Sequence, residues 1–431
     1  MVLPIRFHIE GVIIIKWLEN SLKPYTGLPG SIYVLFFASL VNYLGNFVHP
    51  LLTMLLTFKL GLNVGTVGII VAINSGLSMI GTMIGGKLID SIGRKKILMI
   101  FRTAAGIGYA LCAFITEPIA VTTVLILSNF LGGFSEPVYN TIITDLTEGE
   151  QRKASFSLSY ISINIGFSLG TLLAGFLYEN FLMLLFLGDA LTTFISVILV
   201  LSLVPETMPD KKKLETIKGD SLEVAEDTSL LSALLKRPEL LKFSFVMVIY
   251  FIVFSQFTFG LSLQIGHSFK DNASLIFGSL ITINAVMCST ITVFINSFTK
   301  NLKAALSICI GGVLYALGFG MMFFIDAYYM FIISTVIWTC GEIIVTTNTN
   351  VYIASHTPIT HRGRFNAIFP IIRKIGFSLG PIIAGTYVKY TNIKNLWILI
   401  AILSSIGAFM MYRLYSLEIK YSVKIAEEKS A

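Results

Sequence analysis

Twelve apolar stretches, each long enough to cross a bilayer, constrain this chain more than any other feature. A membrane-crossing helix needs about 20 mostly apolar residues. Such runs lie near 31–57, 64–89, 96–116, 119–142, 154–178, 181–204, 241–264, 275–298, 302–325, 327–353, 366–388 and 394–414, separated by short loops. In lipid every backbone polar group must be satisfied within its own segment, so these runs are expected to be helices. Composition agrees: 55% of the 431 residues are hydrophobic and 13% charged. A soluble domain of this size cannot hide that much apolar surface.

The formal net charge is +7, but no basic patch or arginine-rich tail suggests a nucleic-acid partner. The cations instead alternate between loops. One set carries Arg94, Lys95, Lys96, Arg152, Lys153, Lys211, Lys212, Lys213, Lys300, Lys303, Arg362 and Arg364. The other carries only Lys59, Lys270, Lys389 and Lys394. The Lys/Arg bias predicts a multi-pass protein of the cell (cytoplasmic) membrane, with the first set of loops and both termini in the cytoplasm. The four cysteines (112, 288, 309 and 340) fall inside apolar spans without zinc-ligand spacing, and read as buried free thiols.

A mixed-charge stretch after Val204 divides the chain six spans from six. The expected organisation is an interfacial amphipathic segment over 1–30, a six-helix bundle over 31–204, a cytoplasmic linker over 205–240, a second bundle over 241–414 and a cytoplasmic tail over 415–431. An internal repeat supports the division. Residues 165–175 read IGFSLGTLLAG and residues 375–385 read IGFSLGPIIAG, eight of eleven positions being identical at an offset of 210. The same offset pairs Arg152 with Arg362 and Asn140 with Asn350. Parallel repeats of this kind indicate a transporter with its site between the halves. The fold class predicted is an all-α membrane protein of twelve transmembrane helices in two pseudo-symmetric six-helix bundles. Gly166, Gly170 and Gly175 of span 5, with Gly376, Gly380, Pro381 and Gly385 of span 11, are read as small-residue faces at the interface between halves.

Residues 86–98, GKLIDSIGRKKIL, join spans 2 and 3. Their pattern (Gly86, Leu88, Asp90, Gly93, Arg94, Lys95) resembles the signature loop of the major facilitator superfamily. With VNYLGNFVHP (41–50), WTCGE (338–342) and the span-5 glycines, the chain is most similar to the drug:proton antiporter branch, including MdtH-like multidrug exporters. The resemblance runs from span 1 to span 12. It implies that spans 1, 4, 7 and 10 line a cavity, and that Asp90 and Arg94 latch the halves on the cytoplasmic side. Asp90 would face the N-terminal end of span 11, and Arg94 would pair with Asp145. The chain departs from the branch in having Thr171 where proline is usual, and Asn129 but no arginine in span 4. VPET (204–207) resembles part of a sugar-porter pattern that its neighbours do not continue.

Ionisable groups deep in a membrane are costly, so each is a functional candidate. Glu136 precedes Pro137, which loosens the helix, and lies about 13 Å in from Asp145 at 1.5 Å per residue. Glu342 lies within one helical turn of the repeat-equivalent position, so both carboxylates are expected on matching faces of spans 4 and 10. They are the proton-carrier candidates, with Arg373 as the expected structural partner of Glu342 and His49 as a further titratable group. Asp189 reads as a structural carboxylate. Arg102 is expected to snorkel to the cytoplasm. Asn42, Gln256 and Asn284 are candidate substrate-cavity residues. The 33 phenylalanines and 14 methionines suit an adaptable apolar lining.

The leading reading is a monomeric secondary transporter in contact with membrane lipid. It would export amphipathic or hydrophobic small molecules by alternating access, driven by the proton gradient and without a cofactor or metal. An uptake symporter and a lipid or glycolipid flippase are alternatives within the resemblance. A non-transporting scaffold or sensor is the alternative outside it. HExxH, GxSxG and Walker-type motifs are absent from the sequence, so an enzyme is not indicated.

Overall fold

The computed structural model describes residues 25–208, 238–356 and 362–430. Most of the expected N-terminal segment (1–24) and linker (209–237) lie outside the described residues. Twelve helical segments follow in order: α1 (Gly30–Lys59), α2 (Val64–Ile92), α3 (94–112), α4 (Pro118–Leu146), α5 (Gly149–Asn180), α6 (Leu182–Leu203), α7 (Glu239–Phe269), α8 (273–299), α9 (Ala304–Phe323), α10 (Tyr328–His356), α11 (Arg362–Tyr390) and α12 (Ile393–Ser430). Ten of them have the length and hydropathy of a membrane span. The other two are α3 and α11. The first opens on three consecutive cations, and the second carries Arg373 and Lys374 near its middle. Helix α12 runs unbroken through what composition suggested was a tail.

The breaks in the helices have local causes. Helix α1 stops at Leu44 and resumes at Val48. There the buried Asp189 carboxylate of α6 accepts a hydrogen bond from Val48 N at 3.2 Å. It thus satisfies a backbone donor exposed by the break. Gly45 is required because a Cβ there would collide with the Thr192 side chain. Helix α4 is interrupted between Ser135 and Val138, where Pro137 cannot donate to the preceding turn. Helix α7 loosens into a 3₁₀ turn at Ser255–Phe257, 210 residues on from the α1 break.

One buried cluster lies within the first half, and a larger one runs from the first half into the second. In the first half Ile32, Ile97, Val138 and Val200 are buried together. The larger cluster is more aromatic in its second-half part, where Phe319 stacks on Trp338 at 5.4 Å and on Trp397 at 6.0 Å. Exposed apolar side chains such as Phe114, Ile119, Phe298 and Phe324 cover the outside, where lipid is the solvent. Cys112 is buried, whereas Cys288, Cys309 and Cys340 are only half-buried; all four are free.

The duplicated glycine motifs are used identically, and differently from the expectation. Gly166 and Gly170 pack on the α1 backbone near Leu40, Tyr43 and Leu44, within their own half. Gly376 and Gly380 do the same on α7, against Phe251 and Ser255. Only the last glycine of each motif crosses between halves. Gly175 meets Ser274 of α8, and Gly385, with Pro381, meets Val64 and Gly68 of α2. The reason is helical phase: five residues advance about 140° beyond one full turn. Gly175 and Gly385 therefore leave the face of the two glycines before them.

Candidate functional site

Close packing of α2 on α4 builds the centre of the molecule. A Cβ on Gly81, Gly85 or Gly133 would lie 2.2–2.5 Å from a backbone oxygen of the other helix. This approach sets Thr82 beside Glu136, and the Thr82 hydroxyl donates to the Glu136 carboxylate at 2.5 Å. The second half supplies Lys374. From α11 its ammonium donates to Glu136 Oε2 at 2.7 Å and to Thr82 Oγ1 at 2.9 Å. The ion pair thus ties α4 of one half to α11 of the other. The Glu136 side chain is 53% exposed and that of Lys374 is 26% exposed. A half-exposed carboxylate in mid-span faces an accessible space between the bundles. His49, just after the α1 break, is exposed and within electrostatic range of Glu136.

Glu342 is held differently. Its carboxylate accepts from Asn284 Nδ2 at 2.7 Å and from Cys288 Sγ at 3.7 Å, while Asn284 also donates to Thr339. The expected pair with Arg373 is not formed. Arg373 is instead exposed, 5.5 Å from the Phe377 ring centroid. The expected snorkelling of Arg102 is also overturned: its Nη2 donates to Asn42 Oδ1 at 2.5 Å, turning the guanidinium into the bundle towards Gly132 of α4. Asn42 is thereby occupied by a helix–helix bond. Gln256, a cavity candidate, is closed off from any open space, and its Oε1 has no partner among the described residues. It is fully buried, and its amide donates to Ile252 O and Ser255 Oγ, because the 3₁₀ turn rotates it into the packing of α7 on α11. Asn129 ties α4 to α2 through Asn74 O.

The signature loop forms a compact network. Gly93 has φ +111°, a conformation that favours glycine, and it turns the chain into α3. Arg94 is 5% exposed; its Nε donates to Asp145 at 3.0 Å and its Nη1 to Ile89 O at 3.1 Å. Glu206 accepts from the backbone amides of Arg94 and Lys95. Lys95 Nζ donates to Val204 O, and Thr207 donates to Asp145. The Arg94–Asp145 pair matches the expectation. The described network joins α2, α3, α4 and the end of α6, all in one half, while the segment before span 11, near which Asp90 was expected, lies outside the described residues. Among the described residues Asp90 pairs with Arg94 alone, at 3.5 Å. Gly86 has no described atom within 4 Å of its would-be Cβ.

At the opposite end the halves are in tight contact. Glu179 of α5 accepts from Ser274 N and Oγ, at 3.2 and 2.7 Å, and so caps α8 across the interface. Phe58 meets His267 edge to face, and Gly68 lies against Pro381 and Gly385. In this arrangement the end bearing the sparsely charged loops is closed.

Sequence reasoning missed Lys374, Thr82, Glu206 and Glu179. The signal for Lys374 was available, since it is as deep an ionisable group as Arg373. Glu206 belongs to the VPET stretch already noted. Thr82 and Glu179 offer no such signal, because their roles depend on what packs against them.

Comparison with known proteins agrees with this architecture. The Major Facilitator Superfamily profile matches residues 35–373 and 308–430. The chain is 24% identical over 399 residues to the uncharacterized MFS-type transporter YttB of Bacillus subtilis (strain 168), covering 89% of this chain and 96% of that one. It is 32% identical over 153 residues to the quinolone resistance protein NorA of Staphylococcus aureus (strain Mu50 / ATCC 700699), covering 34% of this chain and 38% of that protein. It is 20% identical to a Na(+), Li(+), K(+)/H(+) antiporter of Planococcus maritimus, over 74% of this chain and 80% of that one. The solved structure of the nucleoside transporter NupG superposes with a TM-score of 0.74 at 16% identity, covering 90% of this chain and 99% of that one, and so shares its fold. With twelve helical segments among the described residues, two related halves and a family match over most of its length, the chain belongs to the major facilitator superfamily and is a multi-pass membrane transporter.

Proposed function

We propose that the protein is a proton-coupled exporter of amphipathic small molecules, of the drug:proton antiporter type. It works by alternating access, with its basic loops and both termini in the cytoplasm. The observation that carries this reading is the Glu136–Lys374 ion pair, 2.7 Å long, joining the halves at mid-span. Ionised Glu136 holds α4 against α11 while the far end is closed. Protonation removes one charge of the pair and weakens the tie. A substrate that draws Lys374 away does the same. Proton and substrate then release the same constraint from opposite states, which is the requirement for exchange. The partial similarity to NorA and to a cation/H(+) antiporter supports efflux as the direction.

The test is dye transport in proteoliposomes under an imposed pH gradient, with cationic (ethidium), neutral and anionic amphipathic dyes. Gradient-driven movement of at least one dye, lost in Glu136→Gln, is expected. Undiminished coupling in that variant sinks the assignment of Glu136 and turns attention to Glu342 or His49.

A further inference from the structure

Lys374 and Glu342 both have partners, but the neighbouring Arg373 does not. Among the described residues its guanidinium makes no hydrogen bond or ion pair, although it stands about 16 Å along α11 from Arg362 at 1.5 Å per residue. An unpaired cation at that depth is costly unless it faces a polar space or a partner. Lipid is not what it faces. It is within electrostatic range of Tyr43 on α1, Tyr160 on α5 and Glu342 on α10. Phe377, one turn on along the same face of α11, packs 5.9 Å from Phe254, whose ring is 6.1 Å from Trp338 of α10, so this face of α11 turns towards the bundle.

An aromatic surface adjoins the charge. Phe377 lies under the guanidinium, and its ring is 5.9 Å from Phe254 and 6.4 Å from Phe251, which is itself 5.5 Å from Phe369. The cation–π contact orients the guanidinium plane and leaves its hydrogen-bond donors free. A free guanidinium fork fits a carboxylate bidentately, and the half-buried Phe377, Phe251 and Phe369 beside it, backed by the buried Phe254, offer surface to an aromatic body. A lipophilic cation at the same place meets like charge.

We propose that Arg373 anchors the acidic group of the transported molecule, and that the substrates are aromatic amphipathic carboxylates. This rests on the transport reading and narrows its substrate class. A carboxylate bound at Arg373 also lies beside Lys374 and competes with Glu136 for it, so that substrate arrival loosens the tie between halves.

The experiment is equilibrium binding to the full-length protein in nanodiscs at fixed pH, without a gradient. The matched fluorescent probes are dansylglycine and its uncharged amide, and empty nanodiscs give the background. Dansylglycine is expected to bind at least about tenfold more tightly than the amide. Arg373→Gln should abolish that preference and leave the thermal unfolding midpoint in place, while Arg373→Lys keeps part of it. Equal binding of the two probes, no saturable binding of either, or a preference that survives Arg373→Gln overturns the proposal. No gradient is involved, so a failure of proton coupling leaves the result standing. Conversely, gradient-driven ethidium export lost in Glu136→Gln, with no carboxylate preference, keeps the exporter and overturns the anion site.

Discussion

Replacing Glu136 by glutamine removes a charge while keeping side-chain shape and an acceptor for Thr82, so it isolates the tie between halves. Glu136 Oε2 and Lys374 Nζ are 2.7 Å apart. At that separation unit charges attract by about 1.5 kcal/mol in water and about 6 kcal/mol at an effective dielectric of 20. The Glu136 side chain is 53% exposed, so solvent screening brings the net contribution down to about 1–2 kcal/mol. That is roughly a tenfold change in the ratio of this arrangement to any in which α4 and α11 separate. The assay is electron–electron distance measurement between nitroxides on cysteines placed at Ile92 and Lys300, both exposed, with the four native cysteines replaced. Glu136→Gln and Lys374→Met should each lower the population of the present distance by about that factor. The double variant should be no worse than either single one, since the pair can be broken only once. Fully additive effects, or a distribution unchanged in both single variants, refute the reasoning.

Three further outcomes are expected. Gly68→Val puts a Cβ 2.3 Å from Pro381 O, so the far end should fail to close. Transport should be lost with membrane insertion intact, and a cysteine at Ser274 should become accessible to an impermeant maleimide. Glu206→Ala leaves the amides of Arg94 and Lys95 uncapped and should cost about 1 kcal/mol, read as a fall of a few degrees in the thermal midpoint; an unchanged midpoint argues against the cap. Asp189→Asn weakens the bond to Val48 N by about 1 kcal/mol and should lower stability without altering the pH profile of transport. A shifted profile assigns Asp189 a part in coupling.

Much of the architecture was legible because lipid imposes simple rules. Hydropathy located the spans, Pro137 marked the break in α4, and the resemblance of the loop to the family signature implied the pairing of Arg94 with Asp145. The repeat foretold the matching roles of Gly175 and Gly385, although not what they touch. Reading all three glycines of each motif as one face failed on the arithmetic of helical phase. Asn42 and Gln256 were assigned to a cavity by polarity alone. Their local geometry spends them on Arg102 and on the backbone of α7.

By itself the sequence determined how many helices cross the membrane, which loops share a side, where ionisable groups sit in depth, and that the chain is two copies of one plan. These follow from burial cost per residue and helical rise, which are local quantities. Only the tertiary structure decided which charges meet. Glu136 finds Lys374 rather than Glu342 finding Arg373, because glycines let α2 close on α4 and α11 crosses beside them. Partner choice between residues 238 positions apart depends on helix docking and rotation, and periodicity specifies a face without specifying what it faces.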